Sequence, residues 1–269
     1  MRAIPIGAVL LTSLAQSPAL AAPPSPQAPK PKSSLQEVSA MLSSHEADQV
    51  RTALERAALL PPKQVLPAVE ARVREGLTPV LLDVAIDTVL LLNDPSAGSL
   101  LDDLTRHRRP AVRRRALDAV AQLRVRGAEA LLARGVDDQD ADVRSTAVDG
   151  LGAIGARGSF ALVLRAHEMG VEGSALALGR LADPTQVGRL LDLVGERPLE
   201  ALVPMIDALF ARRDLPDADK LRMVERLAEV GTDPARNLLA EQLKKLPAQS
   251  SAKLKQALAE AAQGAKGAQ

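Results

Sequence analysis

The chain has 269 residues, 46% hydrophobic and 25% charged, which allows a sizeable core and excludes disorder throughout. Aromatic residues make up 1%, Phe160 and Phe210 alone, so the interior is built from Leu, Val, Ile and Ala, as in packed helices rather than sheets. Lys and Arg number 34 against 33 Asp and Glu, which excludes a global field for a polyanion; the lack of cysteine excludes disulfides, thiolate metal sites and a Cys nucleophile.

At the N-terminus Arg2 precedes an apolar run from Ala3 to Leu14, and Ala19 and Ala21 form an A-x-A pattern. This reads as an export signal over residues 1–21, cut after Ala21, because the run is shorter than the roughly 20 apolar residues of a spanning helix. A periplasmic or secreted protein with no transmembrane segment after cleavage is the expectation. Residues 22–34, APPSPQAPKPKSS, read as a Pro-rich linker. The folded region is expected over 35–263, followed by a disordered tail at 264–269.

Within that region an apolar pattern recurs every 31 residues. Val112, Ala116, Val120 and Leu123 align with Val143, Ala147, Leu151 and Ile154. Earlier copies fall on Leu81, Ala85, Val89 and Leu92, and on Val50, Leu54 and Ala58. Each set follows the spacing of one helix stripe. A second stripe follows in each copy: Leu66, Val69 and Val73; Ala97, Leu100 and Leu104; Ala128 and Leu131; Leu162 and Ala166. Breakers at Pro61-Pro62, Asn93-Asp94-Pro95, Gly127, and Gly155 with Gly158 divide the two stripes into helix-turn-helix units. Two short helices cannot cover their own apolar stripes, so the copies must stack, and the fold is expected to be an all-α solenoid of about six to seven helical pairs. Further on, LALGRLADP, residues 176–184, matches LGAIG only after a shortening of about one helical turn. Pro- and Gly-bounded helices continue to an Ala- and Lys-rich segment suited to capping the stack.

These residues resemble the HEAT-repeat family, in particular the short bacterial HEAT-like repeats also seen in phycobilisome lyases. The resemblance is carried by Val112-Arg113 with Ala116, by Val143-Arg144 with Ala147, by the endings Leu151-Gly152-Ala153-Ile154 and Leu178-Gly179-Arg180-Leu181, and by Asp-Pro turns at Asp94, Asp183 and Asp233. It covers residues 45–246 and implies HEAT-like helical hairpins. It also implies that the second helix of each pair lines the concave surface, so Arg72, Asp103, Arg134 and Arg165 are candidate partner contacts. The Arg after the Val is implied to bridge to an acid of the neighbouring repeat. Arg51, Arg113 and Arg144 share one column, and Asp87, Asp118 and Asp149 share another, which suggests a ladder.

Catalytic motifs are weak. GLGAIG, residues 150–155, fits G-x-G-x-x-G but follows a helix instead of a strand, so it reads as a helix end. Ser250-Ser251-Ala252-Lys253 fits S-x-x-K without its partner motifs. His45-Glu46 and His167-Glu168 resemble the iron-holding pairs of HEAT-type deoxyhypusine hydroxylases, but those enzymes use more pairs, and solvated side chains are expected here. No catalytic residue, metal or cofactor is assigned.

A basic cluster remains. Arg113 is expected at a repeat seam, whereas Arg106, Arg108, Arg109, Arg114 and Arg115 exceed the ladder and form a candidate patch, with Arg114 and Arg115 facing solvent. The balanced charge and the absence of stacking aromatics argue against nucleic acid. The reading is a non-catalytic protein-binding or scaffolding module. The alternatives are a metal-dependent or lyase-like HEAT-repeat enzyme, and an anion or nucleic-acid site at Arg106 to Arg115.

Overall fold

The computed structural model describes residues 33–264, so the expected export signal, most of the linker and residues 265–269 lie outside the described residues. Among the described residues fifteen α-helices follow one another in chain order. They are α1 (Ser33–Leu42), α2 (Ala47–Ala57), α3 (Pro62–Glu75), α4 (Pro79–Leu92), α5 (Gly98–Thr105), α6 (Pro110–Leu123), α7 (Ala128–Gly135) and α8 (Ala141–Ile154). The remainder are α9 (Phe160–Glu168), α10 (Ser174–Leu181), α11 (Val187–Leu193), α12 (Leu199–Ala211), α13 (Asp217–Val230), α14 (Asp233–Lys245) and α15 (Ala252–Ala262). The first helix starts at Ser33, two residues inside the stretch assigned to the linker, since Ser is well tolerated at a helix start.

The even-numbered helices stack on one another from α2 to α14 and make one layer; the odd-numbered helices pack against them and make the second. This is an all-α solenoid of HEAT-like hairpins. Its core is the set of repeat columns. Val112, Ala116, Val120 and Leu123 are buried, as are Val143, Ala147 and Leu151, Leu81, Ala85, Val89 and Leu92, and Val50 and Leu54. In the second layer Leu66, Val69 and Val73, Leu100 and Leu104, and Val163 and Ala166 fill the space under them. Ile154 and Leu162 are only partly covered because they lie at helix margins.

The 31-residue register holds for backbone as well as side chains. Helices α4, α6 and α8 begin at 79, 110 and 141, and each is 14 residues long. Each ends in a left-handed residue one repeat apart: Asn93, Arg124 and Gly155. Arg124 is the outlier in type, since its Cβ makes that conformation costly. In return its guanidinium donates to the carbonyls of Ala153 (2.9 Å) and Ile154 (3.2 Å), the open C-terminal end of the next first-layer helix.

The Leu-Gly endings set how closely neighbours approach. Gly152 lies against Ala177 of α10, with an added Cβ 3.1 Å from the Ala177 Cα. Gly179 is closer still, and a Cβ there would run into the carbonyl oxygen of Met205 on α12. Leu151→Ala, at a fully buried position, should cost about 2–5 kcal/mol through the cavity it leaves. Gly179→Ala should cost more than Gly152→Ala, by about 1–3 kcal/mol of overpacking, in thermal or urea unfolding of the purified variants. Equal stability of the two glycine variants would contradict the stacking distances.

Candidate functional site

On the second layer, three of the four charges expected to contact a partner are joined to neighbouring repeats. Asp103 accepts from Arg74 (3.0 Å), which reaches from α3 to α5. Arg134 of α7 pairs with Asp102 of α5, which Arg106 also holds. Arg165 of α9 pairs with Asp137, just past α7 (2.8 Å). Arg72 turns back on its own helix end and donates to the Gly76 carbonyl (2.8 Å). These pairs stitch the layer along its length, and because most are half exposed each contributes little, about 0–1 kcal/mol.

The basic cluster divides differently from the sequence expectation. Arg113 does sit at a seam, but its partner is Asp138, outside the Asp87, Asp118 and Asp149 column. It grips Asp138 through Nε (2.7 Å) and a terminal nitrogen (2.6 Å) while donating to the carbonyls of His107 (2.9 Å) and Arg108 (3.2 Å). Arg144 repeats the second half of this, donating to the carbonyls of Asp138 (2.8 Å) and Gln139 (3.0 Å), one repeat on. Where Asp138 stands, the previous copy has His107: each accepts the backbone N–H two residues later, His107 Nδ1 from Arg109 (3.1 Å) and Asp138 from Asp140 (2.9 Å). Hydrogen bonding to Arg113 holds the Asp138 carboxyl below the usual carboxylate range.

Arg115, expected to face solvent, instead bridges Asp83 (2.9 Å) and Asp87 on α4. Column matching missed it because the contact runs diagonally, from one helix to residues a step earlier and three later on its neighbour. Arg114 is half exposed and meets only the exposed Asp142 at 3.3 Å. Arg108 and Arg109 are exposed, with no carboxylate partner among the described residues.

The Arg115 clamp fills the seam between α4 and α6. One repeat later the clamping position is Thr146, too short to span, and a groove opens across α6, α8 and α10. It is lined by Arg114, Asp118, Thr146, Asp149, Leu176 and Arg180 among others. Beside it lies a slot of ≈ 670 Å³ between α8, α10 and α12, and Asp149 and Leu176 border both. The slot follows from the shortened repeat. Leu178-Gly179 comes 27 residues after Leu151-Gly152, not 31, and α10 has 8 residues where α8 has 14. The missing six residues correspond to about 9 Å of helix.

A turn with two left-handed glycines, Gly170 and Gly173, takes the place of the lost helix and forms one wall. Beneath it His167, expected to be solvated, is largely covered: its Nδ1 lies 3.1 Å from Ser174 Oγ, which donates to the Val171 carbonyl (2.5 Å). Because that hydroxyl proton is committed, Nδ1 carries the imidazole proton and donates, and Nε2 is a buried acceptor with no partner. Burial, with Arg197 nearby, pushes the His167 pKa down and keeps the ring neutral. Burial also pushes the Asp149 carboxyl up, against the pull of Arg180 and with added repulsion from Glu172.

Among the remaining motifs, Gly150 and Gly152 lie inside α8 and Gly155 ends it, as a helix end requires. Ser251 caps α15 by accepting from the Leu254 N–H (3.2 Å). Among the described residues, no three His, Asp or Glu side chains converge as metal ligands, and no helix is long and apolar enough to cross a membrane.

Arg113→Ala strands Asp138 and should cost about 2–3 kcal/mol in urea unfolding at pH 7, whereas Arg114→Ala should stay within about 0.5 kcal/mol. In the parent, the Asp138 contribution is present above the ordinary carboxylate pKa and is lost as the pH falls below about 3.8. The destabilisation by Arg113→Ala should therefore shrink in acid. A pH-independent difference would show that the pair with Asp138 is not its source.

Residues 98–170, from α5 to the turn after α9, match the family described as HEAT repeats. No curated protein matches the chain. Among solved structures, the complex of CpcE and CpcF of phycocyanin lyase from Nostoc sp. PCC7120 is similar, at a TM-score of 0.44 and 17% identity over 86% of this chain and 100% of that chain. The stacked hairpins and the family match agree over residues 98–170, which are similar to HEAT repeats within an all-α solenoid.

Proposed function

We propose that the chain is a non-catalytic protein-binding module that holds a partner segment along its first-layer helices. The observation that carries this is the pair of adjoining clefts across α6, α8, α10 and α12, which share Asp149 and Leu176 and open where the seam lacks its arginine clamp and where α10 is short. Solenoids offer extended surfaces of this kind. The second-layer residues Arg72, Asp103, Arg134 and Arg165 remain on the opposite layer as seam pairs and rim charges. In the basic cluster, Arg106, Arg113 and Arg115 are already matched to carboxylates, which leaves Arg108, Arg109 and Arg114 for a partner and little for a phosphate backbone.

The absence of cysteine makes the proposal directly testable, since any introduced cysteine is the sole attachment point for a photocrosslinker. Ala153 and Ala201 are exposed on the groove, and Ala130 is exposed on the second layer. Crosslinker at Ala153→Cys or Ala201→Cys should give a discrete protein adduct in cells, and crosslinker at Ala130→Cys should not. Adducts from Ala130→Cys alone would move the binding face to the second layer.

Export to the periplasm or beyond is part of this proposal and rests on the pattern of residues 1–21. N-terminal sequencing of the protein from its native cells should give a start near Ala22; a start at Met1 would remove export from the account.

A further inference from the structure

We propose that the slot left by the shortened α10 receives a lysine or arginine side chain carried on an otherwise apolar segment of a partner protein. The proposal rests on the protein-binding reading above and assigns it a chemistry. The floor and walls are small and apolar, formed by Val171, Ala175 and Leu176 with Pro198, Ala201 and Pro204 of α12. A segment of Ala- and Leu-sized side chains fits such walls in the way the missing turn of α10 would have.

The polar groups around the slot are mostly acceptors. Asp149 and Glu172 bring two carboxylates, and neither is in an ion pair among the described residues. Asp149 lies over the Cα of Gly173, where a Cβ would collide with its oxygen. His167 lines the slot as a neutral ring, with its Nε2 covered by the protein. Against these stands Arg197, exposed at the edge, while Arg180 acts on Asp149 from the adjoining groove. Acceptors in excess of donors select a donor-rich, positively charged head group.

An internal precedent exists for the contact. Asp87, which occupies the Asp149 column two repeats earlier, is bound by Arg115 of the neighbouring helix. Among the described residues no arginine forms that ion pair with Asp149. A partner's basic side chain would supply it.

The chain has no Trp and no Tyr, so a Trp in a probe peptide reports without background. The probes are Ala- and Leu-based peptides of about twelve residues with one Trp and two Arg, and the same peptides with Glu in place of Arg, titrated against the full chain by Trp anisotropy. The Arg peptide should bind, more weakly as salt is raised, and the Glu peptide should not. Asp149→Asn with Glu172→Gln should weaken the Arg peptide at least about tenfold, roughly 1.4 kcal/mol, without lowering the melting temperature, because both residues are exposed and neither is in an ion pair among the described residues. Glu172→Asp should retain most of the binding.

Equal binding of both peptides, an unaffected double variant, or no binding of the Arg peptide up to about 1 mM would overturn the proposal. If the Glu peptide binds and Arg180→Ala abolishes it, the groove stands with the opposite chemistry. If neither peptide binds while crosslinks from Ala153→Cys persist, protein binding stands and this chemistry fails. Loss of both would remove the two readings together.

Discussion

Everything in this molecule depends on one constraint: a unit of two short helices exposes more apolar stripe than it can cover, and only an identical stripe from the next unit can cover it. The 31-residue register is the expression of that constraint in sequence. Ile86, Leu117 and Val148 are buried one repeat after another because each closes the interface opened by its predecessor. With only two aromatic residues in the chain, no large side chain bridges several units, and fit is achieved by Leu against Ala and Gly at close approach. Gly179 against the Met205 backbone is the tightest expression of this, and it explains why a Leu-Gly pair recurs where first-layer helices meet.

Charge serves the same stacking. Loop carbonyls between the units are gathered by Arg113 and Arg144, and the open end of α8 is closed by Arg124 from the neighbouring repeat. Arg113 with Asp138 is the most covered of these pairs, so its geometry matters more than that of the exposed pairs on the second layer. The proposed binding surface lies where the pattern lapses. Thr146 replaces the clamp that Arg115 provides a repeat earlier, and α10 lacks the turn that would fill the space beside α12. A repeat stack departs from its own rule at the cost of some stability, and His167 Nε2, buried without a partner, is one place where that cost falls.

The helices, their order and most of the core were legible from periodicity, because one stripe per helix is a strong signal when repeated several times. The shortening before LALGRLADP was legible too; that it opens a slot was not, since a gap in register does not reveal what the facing helix α12 does with the space. Seam partners were half legible. Arg113 was placed at a seam by its column, yet Asp138 lies in the loop beyond α7, and Arg115 was misjudged because column matching compares equal positions whereas long side chains reach diagonally. His167 was read as solvated because one helix pattern does not show that the following turn folds back over it.

The central claim is that the missing helical turn makes the site. Four residues of strong helix formers inserted between Gly173 and Ser174 would return the Leu151 to Leu178 spacing from 27 to 31 and extend α10 into the slot. Binding of the Arg peptide by this insertion variant, measured alongside its circular dichroism and thermal midpoint, is the most direct test. The account requires a variant that folds, melts at or above the parent temperature and no longer binds. A folded variant that binds the peptide as well as the parent would contradict it.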